Sequence, residues 1–510
     1  MKKAFKWLAI VVFTPILLFL ILTLLLYLPP VQNWVAGIVA DYASEKTGTE
    51  VSVGYVRLKF PLDLEIDDFR MLQLRTDTLM GPIVPPTKDT IADVKRLTVD
   101  IQLLPLFCSQ VEIDALELNE AKVNTAMFIH EARIRGKIGR LYVESHGIAL
   151  DSSFVKLNTA QLEDSWLDIA LSDTVPPDTT PSKNFWKIDI DDLSISKTNF
   201  TLHMPGDTMS VRAQMTKALA KSTYLDLHQG LYKVHRLDWN GGALNYDQNF
   251  VKPQQSGFDA SHIALSDVDI GIDDLYYCAP KLAVNIRSAR FKEKSGLEVT
   301  EFSGPFTLDD KQIMLPDMKL RTPNSQLLAK FQMDMNAFDD RNPGKFLARL
   351  DGSVGKQDMM AFLGDMPTDF IRHWPNRPLS LKGRVEGNMK FLDVKGLTAK
   401  LPGAFDLYAN GWIANPTDMD NLRANMTLKG RADNLDFVTA LLPADVNKQV
   451  CIPHGIGIDG QFKAENQQYV ADFRASEGGG IVQAKALFNA RTMAYQLQAK
   501  IGRASCRERV

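Results

Sequence analysis

From Val51 onward apolar and polar side chains alternate. Val51, Val53 and Tyr55 are interleaved with Ser52, Gly54 and Val56, and Leu62, Leu64 and Ile66 with Asp63, Glu65 and Asp67. A period of two places one face of a β-strand in an apolar environment and the other in water. Similar runs recur at residues 94–103, 111–118, 185–195, 268–276, 297–306, 380–391, 404–413 and 481–488. Helical periodicity is scarce beside them, so the pattern predicts a mainly β body with a few short helices.

The N-terminus departs from this alternation. Residues 4–28 are apolar apart from Lys6 and follow Lys2 and Lys3. Such a stretch is long enough to cross a hydrocarbon core of about 30 Å at about 1.5 Å per helical residue. A cleaved signal peptide has a shorter apolar region, about 7–15 residues, and ends in small residues. Here the stretch ends in Tyr27-Leu28-Pro29-Pro30. Residues 1–28 are therefore expected to form an uncleaved transmembrane anchor, with Trp7 and Tyr27 at its two interfaces. Lys2, Lys3 and Lys6 set the orientation, because positive charge is retained on the cytoplasmic side, and the bulk of the chain is expected to be exported. Val31, Trp34, Val35, Ile38, Val39 and Tyr42 then recur at intervals of three and four. They predict a juxtamembrane amphipathic helix over residues 29–48 with Gly48 at its C-terminal cap.

Within the strands a short phrase repeats: Ile66-Asp67-Asp68-Phe69, Ile113-Asp114-Ala115-Leu116, Ile190-Asp191-Asp192-Leu193 and Ile272-Asp273-Asp274-Leu275. Each ends an alternating run and moves the next apolar residue to the other face, as a bulge does. The flanking residues supply no His and no third convergent carboxylate, so these acids read as solvated turn residues. A longer period of about 76 residues relates residues 358–363 to 434–439, Leu381-Lys382-Gly383-Arg384-Val385 to the run from Ile458, and Leu407-Tyr408-Ala409 to Val482-Gln483-Ala484. One short helix plus several strands, repeated in tandem, predicts an elongated body whose units touch mainly their neighbours. The expected organisation is an anchor over 1–28, a helix over 29–48, a β-groove region over 49–345 and tandem repeats over 346–500. Residues 501–510 break the alternation and are expected to be a non-native tail, the natural chain continuing past Lys500. Residues 173–182 and 80–90 carry Pro, Asp and Thr and are expected to be exposed loops.

Composition narrows the chemistry. The 58 basic and 61 acidic residues nearly balance, leaving no basic field of the kind nucleic-acid binding relies on. Cysteines 108, 278, 451 and 506 show no CxxC and no zinc spacing, and Cys108 and Cys278, which sit in apolar company, read as buried structural thiols. The eight histidines occur singly, and no HExxH, GxSxG or Walker loop is present. Gly455-Ile456-Gly457-Ile458-Asp459-Gly460 formally spells GxGxxG, but a dinucleotide fingerprint needs a helix opening on its last glycine. The residues after Gly460 alternate like a strand. No catalytic, cofactor-binding or metal-ligating residue is assigned, and no enzyme activity is expected.

What remains is a surplus of one-sided strands with too few helices to cover them. A sheet must bury its apolar face against another layer or against something else. One solution is a long curved sheet whose apolar face lines a trough. About 30 strands spaced at roughly 4.8 Å make a sheet about 145 Å long. A phospholipid chain of about sixteen carbons costs on the order of 12 kcal/mol to expose to water, and such a trough removes most of that cost without a catalytic group. Val385, Leu407 and Val482 are the candidate groove residues.

The anchor, the segment from Val31-Gln32-Asn33-Trp34-Val35 to Thr47-Gly48-Thr49-Glu50-Val51-Ser52-Val53-Gly54, and the following Leu64-Glu65-Ile66-Asp67-Asp68-Phe69 resemble the start of AsmA-like proteins. The pattern is most similar to the TamB-type translocation and assembly proteins of diderm bacteria, notably those of Bacteroidota. The resemblance is carried by the first 70 residues and covers, more loosely, the chain to Lys500. It implies an inner-membrane anchor, a periplasmic hydrophobic β-groove, and a role in carrying phospholipid towards the outer membrane. The alternative it implies is a chaperone-like scaffold for assembling outer-membrane β-barrel proteins, through a C-terminal domain that would meet a barrel partner and is not visible in this sequence. It supplies no catalytic residues.

Overall fold

The computed structural model describes residues 28–47, 49–59, 63–75, 87–102, 112–125, 132–149, 154–171, 187–226, 229–339, 341–441, 454–477 and 480–503. Most of the expected anchor lies outside these residues, with Lys2, Lys3, Lys6, Trp7 and Tyr27. So do Gly48, the loop over 173–182, and Cys108, Cys451 and Cys506. No helix among the described residues is long and apolar enough to cross a membrane. Strands make up 70% of what is described, so the mainly β expectation holds. The chain forms two compact units, Met1–Lys252 and Pro253–Val510.

The first unit holds α1 (Pro29–Thr47), β1 (Glu50–Ser52), β2 (Tyr55–Lys59), β3 (Asp63–Arg75), β4 (Thr87–Ile101), β5 (Glu112–Asn124) and β6 (Ala132–Ala149). It continues with β7 (Phe154–Glu163), β8 (Trp166–Leu171), β9 (Lys187–His203), β10 (Met209–Asp226) and β11 (Leu231–Gln248). Residues 87–90, expected in a loop, already belong to β4. Strands β2 to β6 pair antiparallel in order. β7 and β8 both lie between an antiparallel β6 and a parallel β9, so together they form one broken line of the sheet. β9, β10 and β11 are antiparallel again.

The Asp phrase is where the sheet bends. Asp68 takes φ 54° and is skipped between the pairs Asp67–Arg96 and Phe69–Val94, as expected of a bulge. Glu120, Asp164, Lys197 and Gly241 also have positive φ, on β5, between β7 and β8, on β9 and on β11. The ion pairs Lys95–Glu120 at 3.0 Å and Lys197–Asp164 at 3.7 Å join residues at these bends.

Helix α1 lies along the β1–β2 edge. Gln32 Nε2 donates to the Leu58 carbonyl at 3.4 Å, and the Val51 amide donates to Ser44 Oγ at 2.9 Å. Gln32 and Ala40 are buried, whereas Trp34 is 67% exposed. Of the expected apolar face, Val31 is half-buried and Trp34 exposed, while the side chains of Val35, Ile38, Val39 and Tyr42 lie outside the described part. Small alanines and an amide donor suit close approach to a strand edge whose carbonyls need partners.

The second unit contains β12 (His262–Cys278), β13 (Lys281–Glu293), β14 (Glu298–Leu308), β15 (Gln312–Arg321), β16 (Gln326–Asp334) and β17 (Lys345–Val354). After α2 (Lys356–Leu363) and α3 (Thr368–His373) come β18 (Leu379–Asn388), β19 (Phe391–Leu401), β20 (Phe405–Ala414) and β21 (Arg423–Ala432). After α4 (Asp436–Thr439) come β22 (Ile456–Glu465), β23 (Gln468–Glu477), β24 (Gly480–Asn489) and β25 (Ala494–Arg503). All fourteen pair antiparallel in chain order. The formal GxGxxG opens β22 rather than a helix. Residues 501–503 continue β25 opposite residues 480–482, and residues 504–510 lie outside the described part.

Matching turns recur. Asn336 Nδ2 donates to the Asn342 carbonyl at 2.9 Å and Asn415 Nδ2 to that of Asn421 at 3.0 Å. Asp339 and Asp418 each accept two backbone amides within the same loops. At the opposite strand ends, Phe370, Trp374, Leu379, Leu401, Ala404 and Phe437 form a buried cluster. Its aromatic rings stack edge-on, Trp374 to Phe437 at 4.9 Å and Phe370 to Phe437 at 5.8 Å. Buried Asp358 fastens α2 by accepting the hydroxyls of Thr322 and Ser325 from the β15–β16 turn. Thr322 Oγ1 in turn accepts the amides of Asn324 and Ser325.

Replacing Asp358 by Ala leaves those two hydroxyls buried without their acceptor, a loss of about 1–3 kcal/mol. Hydrogen exchange of the Asn324 and Ser325 amides should accelerate by roughly fivefold or more, while amides of β24 remain unchanged.

Candidate apolar sheet face

Directly opposed residues of neighbouring strands project from the same face, so the register decides which side chains share a surface. In the first unit one row runs through Leu58, Leu64, Val99, Leu116, Val143, Ala160, Leu193, Ala220 and Leu237, a residue from each of β2 to β7 and β9 to β11. A second row on those strands runs through Val56, Ile66, Leu97, Leu118, Leu141, Leu162, Ile195, Ala218 and Trp239. Neither row contains a polar residue.

The second unit repeats the arrangement over more strands. Ile270, Ala289, Phe302, Leu320, Leu327, Gly352 and Leu381 are successive partners in β12 to β18. The row continues as Ala399, Leu407, Gly430, Ile458, Ala475, Val482 and Ile501 in β19 to β25. Four residues further along the strands, a second row holds Phe331, Ala348, Val385, Val394, Gly411, Met426, Phe462, Ala471, Ala486 and Leu497. Between them lie Leu397, Ala409, Leu428, Gly460, Phe473, Ala484 and Ala499. Glycines occur in these rows where strands are closely apposed: a Cβ on Gly430 would lie 2.1 Å from the Asp406 carbonyl and 2.9 Å from Leu407 Cδ2.

The candidate residues Leu407 and Val482 therefore stand on one row and Val385 on the parallel row of the same face. All three are half-buried, as are Leu381, Met426, Leu428, Phe462 and Phe473. Leu497 and Ile501 on β25 are 68% and 82% exposed. The aromatic cluster of α3 and α4 seats on the end of this face, touching Leu381 and Phe405. The half-buried rows beyond it have only their own neighbours for cover among the described residues.

The opposite face is ionic. In the first unit Asp67 lies between Arg57 and Arg96, with Arg96 Nε at 3.0 Å. The two guanidiniums hold its carboxyl below the ordinary carboxylate range. Asp67, Asp192 and Asp273, expected in the sequence to be merely solvated, thus pair with cations, Asp192 with Lys221 at 3.4 Å and Asp273 with Arg287. Arg140 reaches Glu117 at 2.8 Å and Glu163 at 3.5 Å. Asp100 is the exception: burial, aided by the charges of Asp63 and Asp114, pushes its carboxyl up. In the second unit Lys382 pairs with Asp351 at 2.8 Å, Lys400 with Asp406 at 2.9 Å and Lys429 with Asp459 at 3.8 Å.

A pocket of about 530 Å³ opens beside the β19–β20 turn, lined in part by Lys400, Tyr408, Lys429, Arg431 and Asp433. Its cations are already paired, Arg431 with Asp433 at 2.6 Å. No group of three or more His, Cys, Asp or Glu among the described residues could hold a metal ion. The fold and this surface define a chain of one-sided, mainly antiparallel β-sheet. No family model, curated protein or solved structure matches it.

Asp67 gives this segregation a pH signature. Its folded carboxyl titrates below the unfolded one, so its contribution is complete above the unfolded range, near pH 4, and lost as pH falls through the depressed folded value. Asp67→Asn should lower resistance to urea at pH 7, with the gap to the parent chain closing below about pH 4. A gap independent of pH would contradict the ion-pair account.

Proposed function

We propose that the apolar faces are beds for the acyl chains of phospholipid, and that the chain carries lipid along them from a membrane in which its N-terminus is anchored. The observation that supports this most is the register itself: row after row of apolar side chains on one face, left half-exposed, with ion pairs confined to the other. Each acyl methylene removed from water contributes about 0.8 kcal/mol, and the half-buried Leu, Val and Phe side chains gain cover in the same step. Neither gain needs a reacting group, so the reading is of a carrier and not an enzyme. The apolar residues 4–28 supply the anchor, with Lys2, Lys3 and Lys6 holding the N-terminus on the cytoplasmic side and the sheets exported to the periplasm. The resemblance to TamB-type proteins points the movement towards the outer membrane.

A second reading, the alternative that the resemblance implies, is a chaperone-like scaffold for β-barrel assembly, in which the sheet adds an extended client segment through main-chain hydrogen bonds.

Photocrosslinkers decide between them. Placed at Val385, Leu407 or Val482 they should capture phospholipid, while a crosslinker at Gln483 on the opposite face should not. Equal capture at both faces would overturn the lipid reading, and capture of unfolded barrel protein without lipid would favour the scaffold. Deleting residues 1–28 should move the chain from the membrane to the soluble fraction after cell breakage. A chain that stays membrane-bound without them would contradict the anchor.

A further inference from the structure

The polar face of β16 to β19 departs from the charge pairing seen on the neighbouring strands. Lys330 lies directly opposite Arg349, Arg349 opposite Arg384, and Arg384 opposite Lys395. Four cations thus stand in line on four adjacent strands, and all four side chains are exposed. Like charges at opposed positions disfavour strand pairing, and opposite charges favour it. Glu386 relieves half of the row, accepting Lys395 at 2.6 Å and pairing with Arg384. Asp351, the nearest other acid on β17, is taken by Lys382. Lys330 and Arg349 have no ion pair or hydrogen bond to any described residue.

We propose that Lys330 and Arg349 form an oxyanion site that takes a phosphate group, held between the Lys330 ammonium and the Arg349 guanidinium. Opposed Cα atoms in an antiparallel pair lie about 4.5–5.5 Å apart, so both long side chains can close on a single anion. The guanidinium presents two parallel N–H donors to two phosphate oxygens, and the ammonium meets a third as a point charge. A carboxylate has only two oxygens and a single charge, and leaves one of the two cations less well served. The repulsion between the opposed cations becomes a source of affinity once an anion bridges them. The site faces away from the apolar rows and stands whether or not those rows carry lipid. Its phosphate comes from free phosphate or from a lipid headgroup, and the two are separable.

The test uses the full chain in a phosphate-free maltoside detergent. The ³¹P line widths of inorganic phosphate and of glycerophosphoglycerol, a deacylated anionic headgroup, are followed during titration with protein. Saturable broadening is expected with at least one probe: the inorganic ion alone assigns free phosphate, and the diester assigns a headgroup. Lys330→Gln and Arg349→Gln should each weaken binding by about fivefold, the scale of one exposed charge pair. Lys330→Arg should retain it, and Lys382→Gln, which removes a cation already paired with Asp351, should leave it unchanged. No saturable broadening with either probe overturns the proposal. So does undiminished binding by a Lys330→Gln/Arg349→Gln double variant whose circular dichroism shows an intact sheet.

Discussion

Strand register is the constraint on which everything else in this chain depends. Side chains alternate with a period of two, so a slip of one residue in any pair carries a whole strand's apolar set to the wrong face. Along the row from Ile270 to Ile501 in the second unit, every partnership keeps apolar against apolar or glycine. The ion pairs Lys382–Asp351 and Lys429–Asp459 reinforce the same register from the other side. Where the backbone leaves the alternation, as at Asp68 and Lys197, a positive-φ residue absorbs the extra step and the apolar rows resume.

Such a face would ordinarily be closed by a second layer. The short helices of the second unit cover only its end, where Phe370, Trp374 and Phe437 meet Leu379 and Leu401. Among the described residues few large side chains are fully sequestered: Leu401, Val268 and Val299 are the apolar ones. Asp358 shows that the helical end is tied down on purpose, with two hydroxyls aimed at one buried carboxylate. The molecule therefore spends its specific polar contacts on holding the ends and the back of the sheet, and leaves the apolar surface between them half-exposed.

Much of this was legible in the sequence because alternation is local. The runs over 404–413 and 481–488 correspond to β20 and β24 almost residue for residue, and Leu407 and Val482 follow from the phase of those runs. The long strands were harder to see. β9 extends from Lys187 to His203, but Lys197 shifts the phase in its middle, so the alternation stops before the strand does. Parallel pairing of β7 and β8 with β9 leaves no mark in a periodic pattern. The Asp358 acceptor site joins residues more than thirty positions apart, and the basic row of Lys330, Arg349, Arg384 and Lys395 exists only once the register is known.

The central claim is that the apolar rows receive acyl chains. Native mass spectrometry of the full chain, released gently from detergent after purification from membranes, tests this most directly. The account predicts discrete added masses matching phospholipids, retained by the folded protein and lost when charged residues are introduced into the Leu407 and Val482 row. A folded chain that carries no lipid under conditions where a known lipid carrier retains it would contradict the account.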